Sequence, residues 1–336
     1  VHGTGSVGGG SVEIDASASS QFVSALLLAA PRMERGLDLR HVGPPVPSSP
    51  HIAMTVEVLR AAGIAVSALV GDGSPAGLPS SARPGRPAAR WTVEPGTPRL
   101  GDVTVEADLS NAGPFLAAAM VTGGRTAVLD WPARTTQGGE ALRGIFTAMG
   151  GRAAYDPDAS TLRLQGPHRI APLDADMHDV GELVPTVAAV AAFADGPSRL
   201  RNIGQLRSHE TDRLAAIAAE LARAGGSARI EGDDLVIQPR PLRGARLESY
   251  ADHRMATFGA ILGLRVEGIE VAGVETTAKT FPQFTDMWSE LACAPGTGAA
   301  FDPDGEQRAP TPGGSRPRLI EPAAPGVGFT DGELPA

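Results

Sequence analysis

Three stretches share one pattern, an amphipathic helix that ends in glycine and gives way to a short strand. They are VEVLRAAG (56–63), EALRGIFTAMGG (140–151) and LAAIAAELARAGG (214–226). Gly63, Gly150 and Gly225 stand where a residue without a Cβ closes a helix by taking a positive φ. In the last stretch apolar side chains recur at 214, 217, 218 and 221, the period of one buried helical face. A second class of helix is short, rich in small residues and apolar all round: SSQFVSALLLAA (19–30), NAGPFLAAAMVTGG (111–124), ELVPTVAAVAAFADG (182–196) and HRMATFGAILGL (253–264). Such helices belong in an interior. Strands such as VEI, AVLD, LRLQG, LRNI and LVIQP fill the intervals. The chain reads as a repeated α/β unit of roughly 65–90 residues, entered part-way through a repeat.

Two segments lack this periodicity. Residues 70–90, rich in Pro, Gly, Ser and Arg, read as a surface loop, and the Pro/Gly-rich tail at 293–336 as disordered. A chain of 336 residues is long enough for two domains. Its net charge of −9 argues against nucleic acid as the main partner, because phosphate binding wants a basic face. One cysteine, Cys293, excludes an internal disulfide framework and fits a reducing cytoplasm. No apolar run approaches the roughly 20 residues that span a bilayer, and no leader is visible, so no membrane partner is expected. The opening residue is Val1 rather than Met, which reads as a fragment or an unusual gene model.

Four polar clusters stand at helix starts, where free N–H groups and the dipole favour anions. DASASSQF (15–22) offers Ser19, Ser20 and Gln21. Capping accounts for one serine; two and an amide together also suit a ligand. LRSHETDRL (206–214) places Glu210 and Arg213 three apart, on one face of a first turn, with His209 beside them. A surface ion pair is the ordinary reading; an acid and a cation at an anion-friendly helix start is the other. YADHRMATF (250–258) puts His253 and Arg254 at the mouth of an apolar helix, which is costly unless they are paired or liganded. DMHDVGELVPT (176–186) sets Asp179 and Glu182 before another interior helix, where acids are ordinary dipole partners. Neither Cys/His metal spacing nor a GxxxxGK[ST] loop occurs, so no metal, nucleotide or other cofactor is expected.

Lys279, in TTAKTFPQF (276–284), is the one lysine among 29 Lys and Arg. An ammonium is a compact point charge where a guanidinium is a planar fork, so a site facing a single anionic oxygen discriminates between them. A residue left over by arginine bias is the simpler reading of Lys279 alone. With Ser19, Ser20 and Ser48 as hydroxyls, Arg213, Arg254 and Lys279 as cations, and Glu182 and Glu210 as acid or base, the inventory suits small phosphorylated or carboxylated molecules and proton transfer.

Taken in order, these clusters resemble the 5-enolpyruvylshikimate-3-phosphate (EPSP) synthase family, and specifically its C-terminal two-thirds. Ser19-Ser20-Gln21 is similar to the family's serine-serine-glutamine element, and Ser48 in PSSPHI to its second phosphate-binding serine, with His51 in place of a frequent tyrosine. Glu182 falls on the acidic residue before an interior helix. Gln205, His209, Glu210 and Arg213 fall on a further series. Asp252-His253-Arg254-Met255-Ala256 matches DHRMA, and Ala278 to Pro282 matches AKTFP. The resemblance implies an inside-out α/β barrel of repeated units in two similar domains. Residues 1–101 would be the last unit of the first domain, with the loop at 70–90 an insertion, and 102–292 most of the second.

It implies transfer of the enolpyruvyl group of phosphoenolpyruvate to the 5-hydroxyl of shikimate 3-phosphate by addition and elimination. Shikimate 3-phosphate would meet Ser19, Ser20, Gln21, Ser48, Glu182, Gln205 and His209. Phosphoenolpyruvate would meet Arg213, Arg254, Lys279 and Gln21. Glu182, Glu210 and Lys279 would be catalytic, with Asp252 and His253 supporting. A monomer in the cytoplasm is expected, or a chain partnered by an absent N-terminal segment, with weak or no activity alone. A non-catalytic remnant that binds shikimate 3-phosphate is the alternative. UDP-N-acetylglucosamine carboxyvinyltransferase is a weaker one, since that family lacks the DHRMA and KTFP pairing and Cys293 is a poor substitute for its loop cysteine.

Overall fold

The computed structural model describes residues 5–69 and 90–293; the tail beyond 293 and the expected loop, apart from Arg90, lie outside the described residues. The chain begins with β1 (Gly10–Ile14), α1 (Gln21–Ala29), β2 (Leu37–His41), α2 (Ser49–Ala61), β3 (Val66–Leu69) and β4 (Arg90–Val93). These strands form one sheet in the order β1-β2-β4-β3. β1 and β2 run parallel with Gly10 opposite Leu37, and β4 runs antiparallel to both of its neighbours. After α3 (Leu109–Thr122) come β5 (Arg125–Val128), α4 (Ala141–Ala148), β6 (Arg152–Asp156) and β7 (Thr161–Gln165), in the order β5-β7-β6.

The next unit is β8 (Asp174–Asp176), α5 (Val184–Ala191), β9 (Ser198–Arg201), α6 (Arg213–Arg223), β10 (Ser227–Glu231) and β11 (Asp234–Gln238). Its order, β10-β11-β9-β8, read in reverse is that of the first sheet. Last come β12 (Arg246–Glu248), α7 (His253–Gly263), β13 (Glu270–Ala272) and α8 (Phe284–Cys293), with β12 and β13 parallel. The three-stranded sheet repeats the last three strands of the unit and the parallel pair its first two. This is the recurrence the glycine-ended helices announced. Gly63, Gly150 and Gly225 take φ of +78°, +98° and +86°, which residues with a Cβ avoid.

α3, α5 and α7 pack on one another, and all eight residues of α5 are buried. Their side chains, with those of the surrounding strands, form one core running from Leu109 to Leu262. Helices are inside and sheets outside, because Ala, Gly and Val at the contacts let three helices approach closely. A separate core from Ala16 to Val93 fills the first sheet and its helices.

α1 departs from the expectation of an interior helix. It buries Val23 and Leu27 against α2, whereas Phe22 and Leu28 are 52% and 54% exposed. α3, α5 and α7 cover one another, but α1 has α2 as its one helical neighbour of substantial contact among the described residues.

Candidate active site

The starts of α3, α5 and α7 lie at one end of the central helix cluster, and the polar residues gather there. Ser110, Asn111 and Pro114 of α3 share a narrow crevice with His253, Arg254 and Thr257 of α7, closed by Thr277, Thr280, Phe281 and Phe284. Asp252 caps α7: its Oδ1 accepts from the Arg254 N–H at 2.8 Å. The same carboxylate receives the Arg213 guanidinium, Nε to Oδ2 at 2.7 Å and Nη2 to Oδ1 at 3.2 Å. Both side chains are buried, an arrangement that holds because the two-point fork satisfies each charge.

Arg213 is the first residue of α6, and Asp212 caps that helix by accepting from the Ala215 N–H. Glu210 therefore precedes the helix, not within its first turn as the spacing suggested. The pair forms regardless, with Arg213 Nη2 donating to Glu210 Oε2 at 2.8 Å. Arg213 Nη1 also lies 3.0 Å from His209 Nδ1. Burial, then the Arg213 charge, lowers the pKa of His209, so its Nδ1 acts as acceptor.

Glu210 has a second cation. Its Oε1 accepts from Lys279 Nζ at 3.0 Å. Burial alone would raise its pKa, but the hydrogen bonds from Lys279 and its own N–H, with the Arg213 and Lys279 charges, bring it down to about 2. Lys279 closes a 3-10 turn, Val274–Lys279, and Asn111 Nδ2 donates to the next carbonyl, Thr280 O, at 3.3 Å. Phe281 and Phe284 each stand 5.9 Å, ring centre to ring centre, from Phe115 of α3. The lysine is thus carried on a segment pinned to the central cluster.

Glu182 lies in the 3-10 turn ahead of α5, buried, and neither carboxylate oxygen has a hydrogen-bond partner among the described residues. His51 Nε2 is 3.8 Å from its Oε1, too long for a hydrogen bond. Gly138 makes room for it, since a Cβ there would stand 2.5 Å from Oε1. Arg254 is the matching cation. Burial lowers its pKa and the Glu182 charge opposes that; its guanidinium has no hydrogen bond or ion pair among the described residues. It also sits at the positive end of α7, where a cation is unfavourable without an anion nearby. His253 is buried with Nδ1 unpartnered among the described residues, and burial lowers its pKa.

The first sheet contributes one side of this region. Ser48, in a left-handed conformation at the start of α2, donates its N–H to His178 O at 3.2 Å. The sequence assigns Asp179 to the dipole of the helix after it. Instead its Oδ1 takes the N–H and hydroxyl of Ser49, at the start of α2. Gln205 Nε2 donates to the same His178 carbonyl at 3.2 Å. Ser19, Ser20 and Gln21 begin α1, where Ser19 Oγ accepts from the Gln21 N–H. No hydrogen bond or ion pair joins these three to the second cluster among the described residues.

The sequence matches the family model for EPSP synthase (3-phosphoshikimate 1-carboxyvinyltransferase) over residues 1–288. It is 50% identical over 297 residues to a 3-phosphoshikimate 1-carboxyvinyltransferase of Kocuria rhizophila, a match covering 88% of this chain. The chain belongs to the EPSP synthase family. It spans 62% of the length of that relative. The EPSP synthase structure from Acinetobacter baumannii superposes with a TM-score of 0.66 at 23% identity, over 85% of this chain and 63% of that one. The enolpyruvyl transferase NikO from Streptomyces tendae gives 0.56 at 17% identity, over 84% and 63%. Both likenesses bear on the fold, which is that of the enolpyruvyl transferases.

In this member of the EPSP synthase family, sequence reasoning misses the cap Asp108, the space at Gly138 and the partner of Asp179. Asp108, the cap of α3, accepts from the N–H and the side-chain amide of Asn111. The DLSN stretch carries that capping signal. Gly138 and Asp179 act on partners 44 and 130 residues away, Glu182 and Ser49, and nothing local marks them.

Proposed function

We propose that this chain carries the enolpyruvyl-transfer chemistry of its family: addition of the 5-hydroxyl of shikimate 3-phosphate to C2 of phosphoenolpyruvate, then loss of phosphate. The observation that carries the reading is Arg254, a cation at the positive end of a central helix with no acceptor among the described residues, opposite the unpartnered carboxylate of Glu182. A site so arranged is completed by an anion for the arginine and a hydroxyl for the glutamate.

Glu182 then takes the proton of the 5-hydroxyl as its oxygen bonds to C2. Arg254 and Lys279 hold the phosphate and carboxylate of phosphoenolpyruvate. Arg213 is turned to Asp252, Glu210 and His209, so its contribution is to fix Glu210, leaving one N–H for phosphoenolpyruvate. Glu210 is ionised in the free chain. When the phosphate draws Lys279 away, the carboxyl loses one of the two cations that hold its pKa down, takes a proton from solvent and can deliver it to C3. Elimination reverses that transfer: C3 returns a proton, the C2–O bond to phosphate breaks, and an enolpyruvyl ether remains.

Shikimate 3-phosphate is assigned to Ser19, Ser20, Gln21 and Ser48, with Gln205 and His209 at its ring. His253 supports the site from behind. We assign the work to two domains, 1–101 as the last unit of the first and 102–292 as the second, matching the C-terminal part of a longer synthase; the order of the motifs supports this. A cytoplasmic monomer, weakly active alone, completes the proposal. No helix of the described residues is long and apolar enough to cross a membrane.

The test is phosphate release from shikimate 3-phosphate plus phosphoenolpyruvate, by the native chain and by Glu182→Gln. Slow release that needs both substrates and vanishes in the variant is expected. Binding of shikimate 3-phosphate without release would favour a non-catalytic remnant.

A further inference from the structure

α6 grips the chain ahead of α7 at two points. Arg213, its first residue, takes Asp252. Glu220, two turns on and on the same face, is wholly buried and accepts from the Tyr250 hydroxyl at 2.6 Å, the Glu248 N–H at 3.0 Å and Arg223 Nε at 3.1 Å. Between these anchors the backbone makes a turn closed by the Asp252 N–H on Ser249 O at 2.9 Å. Its two central residues, Tyr250 and Ala251, have φ of +56° and +54°. Consecutive left-handed residues are the type I′ pattern, which favours Asn-Gly; here both positions carry a Cβ. Such a turn persists when its surroundings over-determine it. The Tyr250 hydroxyl on a buried carboxylate does this from one side, and Ser249 Oγ on Gly273 O at 3.1 Å from the other.

We infer that Tyr250 and Glu220 are positioning residues for the anion site: their hydrogen bond holds the left-handed turn, and the turn sets Asp252, Arg213 and the start of α7 that bears Arg254. The inference rests on the reading that these arginines face substrate anions, and it gives a role to two residues which that reading leaves unused. Burial and the Glu220 charge raise the pKa of Tyr250, so its hydroxyl remains a donor at working pH. Tyr250→Phe keeps the ring and removes the hydroxyl alone.

The experiment uses the full chain with 15N-labelled arginine. Hydrogen exchange at Arg213 Nε is followed, with the signal assigned by Arg213→Lys and buried core amides as internal reference. Tyr250→Phe should speed that exchange relative to the reference by about tenfold, the size of one lost hydrogen bond to a charged group. Affinity for phosphoenolpyruvate should weaken by a similar factor. Adding Ala251→Gly to Tyr250→Phe should restore both, because glycine takes a positive φ freely. Unchanged exchange in Tyr250→Phe, or no recovery with Ala251→Gly, overturns the inference. A native chain that fails to bind phosphoenolpyruvate defeats the substrate reading instead, and the exchange comparison still decides whether the tyrosine positions Arg213.

Discussion

Lys279 Nζ lies 3.0 Å from Glu210 Oε1, although 69 residues separate them along the chain. Arg213 holds the other oxygen of the same carboxylate at 2.8 Å. One acid is thus shared by a buried guanidinium with three protein partners and an exposed ammonium with one, among the described residues. A ligand phosphate competes far more readily for the second, so a lysine at 279 is a movable charge and Arg213 a fixed one.

Lys279→Arg tests that difference. A planar fork pairs Glu210 more firmly and follows a leaving phosphate less well. Turnover should fall by about tenfold or more, with affinity for phosphoenolpyruvate nearly kept. Steady-state kinetics with both substrates checks it, and native turnover in the variant would remove the role given to the ammonium.

The same contact sets an acid-stability signature. The folded pKa of Glu210 is about 2, below its ordinary 4.5. A depressed carboxylate contributes stability in full above its unfolded pKa and loses it as pH falls through the folded one. The loss from this group therefore lies between 4.5 and about 2. Lys279→Met raises the folded pKa and shrinks the loss. Denaturation midpoints followed by circular dichroism from about pH 5 to about pH 3 should fall more steeply for the native chain than for the variant.

Asp252→Asn takes from the buried Arg213 the one counter-charge that is itself fully buried, leaving it the partly exposed Glu210. Breaking a buried pair from one side costs roughly 3–5 kcal/mol. Urea unfolding should show a loss of that order, and a change under about 1 kcal/mol would mean that the pair is solvated rather than buried.

Gly138→Ala places a methyl against Glu182 Oε1. Gly138 has no positive φ, so the backbone tolerates the change and the carboxylate must move. A displacement of about 1 Å at a reacting group costs on the order of 100-fold in turnover. Phosphate release should fall accordingly while the unfolding midpoint shifts little; undiminished release would separate Glu182 from the chemistry.

The repeated unit is legible in the sequence because its signals are local. A helical period and a closing glycine declare themselves within a dozen residues, as at 214–226. The clusters at α6, α7 and Lys279 are legible as chemistry, since a charged side chain at the mouth of an apolar helix is costly until an opposite charge or a ligand meets it. Their pairing is not. Asp179 reaches α2, Gly138 yields space to Glu182, and Arg213 spends most of its donors on protein groups. Each depends on which helices the sheets bring together. α1 reads like α3, α5 and α7, yet its apolar flank is exposed, because composition states what a helix can bury and packing decides what it does.

The central claim, that Glu182, Glu210, Arg254 and Lys279 perform addition and elimination across C2 and C3 of phosphoenolpyruvate, is most directly tested in D2O. The chain is incubated with shikimate 3-phosphate and phosphoenolpyruvate, and proton NMR follows the vinyl hydrogens. Protonation of C3 to a methyl group and its reversal should bring deuterium into the vinyl positions, and Glu210→Gln should abolish the incorporation. Phosphate release with no deuterium at C3, or incorporation that Glu210→Gln leaves intact, would contradict the account.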